Sequence, residues 1–171
     1  AKRVPNTLGR WGFIDETGRV VIAPTFHVAR PFSEGLAPII IREHEDSGGK
    51  LGYTDTTGRI VTQPQFRIEG GPFTSGFSEG LAAVSQPNGK WGYIDKTGKF
   101  VIAPRFSYAS AFCEGRAWAE IPKSQWSIDS KMGMIDAKGN WIVGPQFDSA
   151  GKFSEGLAAI RVDKKIGYIN K

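Results

Sequence analysis

The sequence has little of the chemistry from which most small enzymes and metalloproteins are made. Among 171 residues there is one cysteine, Cys113, and there are two histidines, His27 and His44. A single thiol excludes a disulfide framework and a cysteine zinc site. Two imidazoles leave histidine-metal and triad chemistry almost nothing to work with. Long apolar runs are missing too: stretches such as Leu36 to Ile41 fall far short of the roughly 18 residues a membrane helix needs, so no membrane span is expected. No block of like charges occurs, although 22 basic against 17 acidic residues leave a net charge of +5. That balance permits an anionic partner without implying one. No window carries a convincing helical period. The chain opens on Ala1-Lys2-Arg3-Val4-Pro5, without an initiator Met or an apolar leader. It is expected to be processed or a piece of a longer protein, any targeting signal lies outside it, and its localisation stays open.

What is plentiful is glycine, 22 residues, and aromatic residues, 12%, and both recur at intervals. The phrase Trp11-Gly12-Phe13-Ile14-Asp15 returns at Leu51–Asp55, Trp91–Asp95, Met132–Asp136 and Ile166–Asn170. The first four copies continue through a turn glycine (Gly18, Gly58, Gly98, Gly139) to a Pro-x-Phe ending at Phe26, Phe66, Phe106 and Phe147. A Phe-Ser/Cys-Glu-Gly block follows at Phe32–Gly35, Phe77–Gly80, Phe112–Gly115 and Phe153–Gly156. From Gly12 through Gly52, Gly92 and Gly133 to Gly167 the spacings are 40, 40, 41 and 34 residues. A period near 40 suits a four-stranded propeller blade. The excess over 34, however, falls in different places in repeats 1, 2 and 3. The basic unit is therefore 34 residues, a length that suits three short strands.

Those strands can be placed. Strand a is Trp91–Asp95, and Asp95-Lys96-Thr97-Gly98-Lys99 has the residues of a tight turn. Strand b is Phe100–Ala103, ended by Pro104, which cannot donate to a ladder. Strand c is Leu81–Ser85, returning through Asn88-Gly89 into the next strand a. The chain reads as all-β, one domain over 1–171, with repeats near 10–49, 50–89, 90–130, 131–164 and a partial copy at 165–171. Tandem three-stranded β-meanders are expected to form an open, twisted array, with a closed propeller-like ring as the alternative. The first copy is expected to lack a strand c and the last a strand b, so that the ends do not complete each other. Lys2 to Arg10 are expected to cap the first end, and end-to-end self-association is a further expectation.

The repeated polar residues have structural uses. Asp15, Asp55, Asp95 and Asp136 are expected to accept turn amides, as are Glu34, Glu79, Glu114 and Glu155. The glycine of strand a marks close approach of another backbone. Together the Trp-Gly-Tyr-Ile-Asp-x-Thr-Gly-Lys, Pro-x-Phe and Phe-Ser-Glu-Gly-Leu-Ala blocks resemble the WG (or KWG) repeat family of bacterial proteins, from Arg10 onward. The resemblance implies a β-repeat array, commonly appended to other domains, and supplies no catalytic residues. Local departures are Leu51, Met132 and Ile166 for Trp, Cys113 for Ser, and Arg116 for the Leu of Leu36, Leu81 and Leu157.

Function is sought where the copies differ. Trp118 stands where other repeats have Pro38, Ala83 and Ala159, and Trp126 lies in an insertion, Pro122 to Ser130. With Arg116 they are the candidate binding surface, since exposed Trp and Arg dominate hot spots. The alternative for Trp118 is that it fills space left by a missing neighbour. His44, in the acidic insertion Arg42 to Gly49, is a further candidate, although one imidazole does not make a metal site. The glycine-rich insertion Glu69 to Gly76 does not open a helix and is not read as a phosphate cradle. Basic residues precede strand a (Arg10, Lys50, Lys90, Lys131, Lys165) and follow the turn (Arg19, Arg59, Lys99). They form two rows suited to solubility or to an anionic polymer. The expectation is a non-enzymatic binding module for a protein or peptide partner, without cofactor or metal. The alternative is a module for a glycan, cell-wall or other anionic polymer; nucleic acid ranks behind both.

Overall fold

The Asp-x-x-Gly turns set the local geometry. In each of the first four copies Asp Oδ1 accepts two backbone amides; at Asp55 they come from Thr57 at 2.9 Å and Arg59 at 3.1 Å. The same pair of bonds forms at Asp15, Asp95 and Asp136. Gly18, Gly58, Gly98 and Gly139 all have positive φ, so each turn joins strand a to strand b through a residue that pays no Cβ penalty.

The computed structural model describes residues 2–5, 9–43, 48–68, 76–122 and 130–170, with backbone alone at 2–5 and 122. Among these the fold is all-β, in five antiparallel sheets. The first holds β1 (Lys2–Pro5), β2 (Trp11–Ile14) and β3 (Val20–Phe26). The second holds β4 (Val28–Ala29), β5 (Leu36–Ile41), β6 (Lys50–Asp55) and β7 (Ile60–Phe66). The third is β8 (Ala82–Ser85), β9 (Trp91–Ile94) and β10 (Phe100–Phe106). The fourth is β11 (Tyr108–Ala109), β12 (Ala117–Pro122), β13 (Ser130–Ile135) and β14 (Trp141–Phe147). The last is β15 (Ser149–Ala150), β16 (Leu157–Val162) and β17 (Lys165–Asn170). None closes into a barrel, and the array is open.

Three details differ from the sequence reading. First, β1 occupies the strand c position of the first sheet. Its Lys2↔Ile14 and Pro5↔Trp11 register matches Ala82↔Ile94 and Ser85↔Trp91, so the first sheet does not lack that strand. Second, two-residue strands β4, β11 and β15 extend the meander beyond strand c. Third, strand b runs through its proline instead of ending there. Phe100 pairs with Ile94, Ile102 with Tyr93, and Phe106 with Trp91. The chain between Ile102 and Phe106 is therefore longer than its partner and bulges over Gly92. A Cβ on Gly92 would lie 2.6 Å from the Ile102 carbonyl oxygen and 2.9 Å from Pro104 N. The proline needs no ladder partner in a bulge, and the glycine admits it.

The buried apolar residues among those described sort into four clusters. Phe13, Phe26 and Ile39 belong to one, Tyr53, Phe77 and Val84 to the next. Tyr93, Phe112 and Ala119 form the third, and Met134, Phe147 and Phe153 the fourth. Each joins residues of one sheet to residues of the next, so the core is a series of layers and each repeat is stabilised by its neighbours. Aromatic pairs tie strand a to the following hairpin: Phe13–Phe32 at 4.6 Å, Tyr53–Phe77 at 5.0 Å and Tyr93–Phe112 at 4.8 Å between centroids.

Candidate groove across the repeats

The Phe-Ser/Cys-Glu-Gly block is a two-residue hairpin. Ser78 N–H donates to the Leu81 carbonyl at 2.9 Å, and Leu81 N–H returns to Ser78 at 3.2 Å. The two residues between, Glu79 at φ 55° and Gly80 at φ 79°, both have positive φ, the requirement of a type I′ turn. Glu34, Glu114 and Glu155 are held the same way, at φ 51°, 55° and 52°. Left-handed backbone in a residue with a Cβ costs roughly 1 kcal/mol or more. The Glu side chain offsets this by bonding across repeats. Glu34 Oε2 accepts from Gly80 N–H at 3.1 Å and Glu79 Oε2 from Gly115 N–H at 2.8 Å. Glu34 and Glu79 thus satisfy the turn amide of the following repeat, not their own. Burial raises the Glu34 carboxyl, but Lys96 Nζ at 3.1 Å and the Gly80 amide outweigh it and hold it below its ordinary range.

The residue before the Glu makes a second ladder. Ser33 Oγ donates to the Phe77 carbonyl, Ser78 Oγ to Phe112 at 2.8 Å and Cys113 Sγ to Phe153 at 3.5 Å. These bonds set the four hairpins side by side. The chain segments entering them line a groove of about 750 Å³, with Phe32, Phe77, Phe112 and Phe153 each contributing from its own repeat. A concavity of this size is of the kind that holds a ligand.

Trp118 is 4% exposed, so it is not the exposed anchor the sequence suggested. The reason lies in strand a of repeat 4, where Met134 replaces the aromatic residue of the other copies. Trp118 pairs with Met134 across the sheet and takes over the aromatic packing. Its ring stacks on Phe153 at 5.6 Å and 9°, meets Phe147 edge-on at 5.8 Å, and its Nε1–H donates to the Gly151 carbonyl at 2.7 Å. It fills space and forms a wall of the groove.

Arg116 does line the groove. Its guanidinium sits 6.0 Å from the centroid of Phe153, on the ring that Trp118 stacks against. Arg30, which sequence reading did not single out, lines the groove too. The signal available was that Arg30 stands where repeats 3 and 4 have Ser110 and Gly151. Trp126 and His44 lie outside the described residues, as do most of the three insertions. The basic rows are in part already paired: Arg10 with His27, Lys50 with Glu43 at 3.1 Å, Arg59 with Asp55 at 3.2 Å, and Lys131 with Asp148. Trp141 packs half-buried on Phe106, with 5.7 Å between ring centroids.

Comparison with known proteins places the chain. No curated protein matches it. Among solved structures it is similar to the computationally designed Ika4 protein, at 9% identity and a TM-score of 0.48, over 81% of this chain and 87% of that one. The family model of the WG containing repeat matches residues 11–42, 52–91, 91–121 and 132–165. With its motif residues in these turns, hairpins and layers, the chain belongs to the WG-repeat family.

Proposed function

We propose that this repeat module binds a protein or peptide partner, and that an extended segment of the partner lies in the groove across the four hairpins. The observation that carries this reading is the groove itself, lined by side chains from every full repeat. Scaffold residues repeat along it, whereas Arg30, Tyr108, Arg116 and Lys152 do not. A shared frame with variable contacts suits recognition. The polar side-chain groups of the lining are guanidiniums, an ammonium, hydroxyls, a thiol and the indole N–H of Trp118, with neither carboxylate nor imidazole among the described residues. That set supports binding over acid–base catalysis. The glycan reading is less well supported, because Trp118 is buried and its ring is stacked on Phe153, leaving little of it for a sugar to stack on.

A peptide-display selection on the intact chain tests this, using a variant that fills the groove. Ala111 lines it, and the same position holds Pro31 in repeat 1 and Lys152 in repeat 4, so a larger residue is compatible with the hairpin. Selected peptides are expected to bind Ala111→Trp at least about tenfold more weakly, the equivalent of roughly 1.4 kcal/mol. Equal affinity for both proteins would place the binding surface elsewhere.

A further inference from the structure

Among the described residues the charge lining the groove is of one sign. Arg30, Arg116 and Lys152 line it, from repeats 1, 3 and 4. Two nitrogens among them stand out: Arg30 Nε and Arg116 Nη1 are buried and have no hydrogen-bond acceptor. A guanidinium N–H shut away from water without an acceptor is among the more costly unsatisfied groups a fold can carry. Native proteins keep few of them, and each calls for a reason. The scaffold does not supply one. The position of Arg116 is Leu in the other three full repeats, and the positions matching Arg30 hold Ser110 and Gly151. A neutral residue builds the same hairpin.

The Arg116 guanidinium carbon lies 6.0 Å from the centroid of Phe153, a contact that does not explain why the position is charged. Arg30 Nε and Arg116 Nη1 themselves are out of a ligand's reach, but both side chains are only part-buried and line the groove, so a bound anion meets the remaining N–H groups of each guanidinium.

We infer that the groove is a carboxylate-binding site, in which Arg30 and Arg116 donate to the acidic side chains of a bound peptide. The inference rests on the groove being where the partner lies. A carboxylate is planar and singly charged and is matched by one guanidinium fork.

Fluorescence anisotropy on the intact chain decides this, with labelled (Glu-Ala-Phe)3 as the probe and (Gln-Ala-Phe)3 as its neutral match. The acidic peptide is expected to bind at least about tenfold more tightly and to weaken as salt is raised. Arg116→Leu and Arg30→Ser, each copying another repeat, are expected to remove about tenfold each, with a melting temperature that does not fall and rises where the unsatisfied N–H is lost. Equal binding of the two peptides, or no binding of the acidic one, overturns the carboxylate assignment. If the neutral peptide also binds, and Ala111→Trp abolishes both, the groove reading stands without it. If Ala111→Trp changes nothing, both readings fall. Tighter binding of a phosphoserine peptide or an oligogalacturonate than of the acidic peptide overturns the choice of ligand.

Discussion

Tyr93 and Tyr168 hold the same place in the repeated motif, yet Tyr93 is 0% exposed and Tyr168 is 74% exposed. Their hairpins are alike: Tyr93 pairs with Ala83 on one side and Tyr168 with Ala159. What differs is the other side. Strand β9 is followed by β10 and covered by Phe112, whereas among the described residues β17 has neither a strand b nor a following hairpin. The glycines agree. A Cβ on Gly92 would collide with the backbone of β10, and one on Gly167 would meet only Ile160 Cδ1 at 3.9 Å. The motif does not bury itself. It presents an apolar face that the next strand and the next repeat cover.

The largest effect should come from the tyrosines. Tyr93→Ala is expected to cost about 3–5 kcal/mol, the range for large aromatic side chains deleted from a core. Tyr168→Ala should stay within about 0.5 kcal/mol, as for other exposed positions. Denaturant melts of the two variants read both values directly.

Gly92→Ala is expected to follow at about 3 kcal/mol, the upper end for overpacking, since the clash is with backbone rather than with a side chain that can swing away. Gly167→Ala should be neutral or slightly stabilising, because alanine reduces the freedom of the unfolded chain. Similar losses for both glycines would show that the residue serves the hairpin alone.

The Glu turns give a smaller contrast of opposite sign. Glu79→Ala keeps the left-handed strain and loses the bond from Gly115 N–H, a loss of about 1 kcal/mol. In the last copy no amide among the described residues donates to Glu155, which still sits at φ 52°. Glu155→Gly is therefore expected to stabilise by about 0.5–1 kcal/mol, visible as a higher melting temperature.

The Asp turns should give the acid limb of the stability curve. The hydroxyl of Thr57, foremost, and the amides of Thr57 and Arg59 hold the Asp55 carboxyl at about 2, against an ordinary 3.8. Its folded value lies below its unfolded one, so its contribution is complete above about pH 4 and disappears as the pH falls toward 2. The same direction applies to Asp15 and Asp95. Melting temperatures taken between pH 5 and 2 should fall, and fall less steeply in Asp55→Asn. An equal slope in the variant would remove the turn from the account.

Much of this architecture was legible because its determinants are local. Asp, Thr and Gly within five residues dictate the a–b turn, and the 34-residue unit followed from counting. The bulge was not legible: Pro104 stops a strand only where its missing N–H is needed, and its use here depends on Gly92 in the partner strand. The fate of Trp118 was legible only as one of two readings, an exposed anchor or a filler of space, of which the second holds. Aligning it with Pro38, Ala83 and Ala159 shows an oversized residue, but its burial depends on Met134, Phe147 and Phe153 arriving from the next repeat. The groove was hidden for the same reason. Arg30 and Arg116 are far apart in the chain, and only the hairpin ladder puts them on one surface.

Amide hydrogen exchange on β17 tests the central claim most directly, measured on the chain as it is and on a variant in which Asp95–Phe106 is copied in place of Asn170 and Lys171. If strand b supplies the burial, β17 exchanges fast in the chain itself, and in the variant slows toward the rate of β9. Unchanged exchange in a variant whose other strands remain protected would contradict it, because the motif would then owe its burial to something other than the strand that follows.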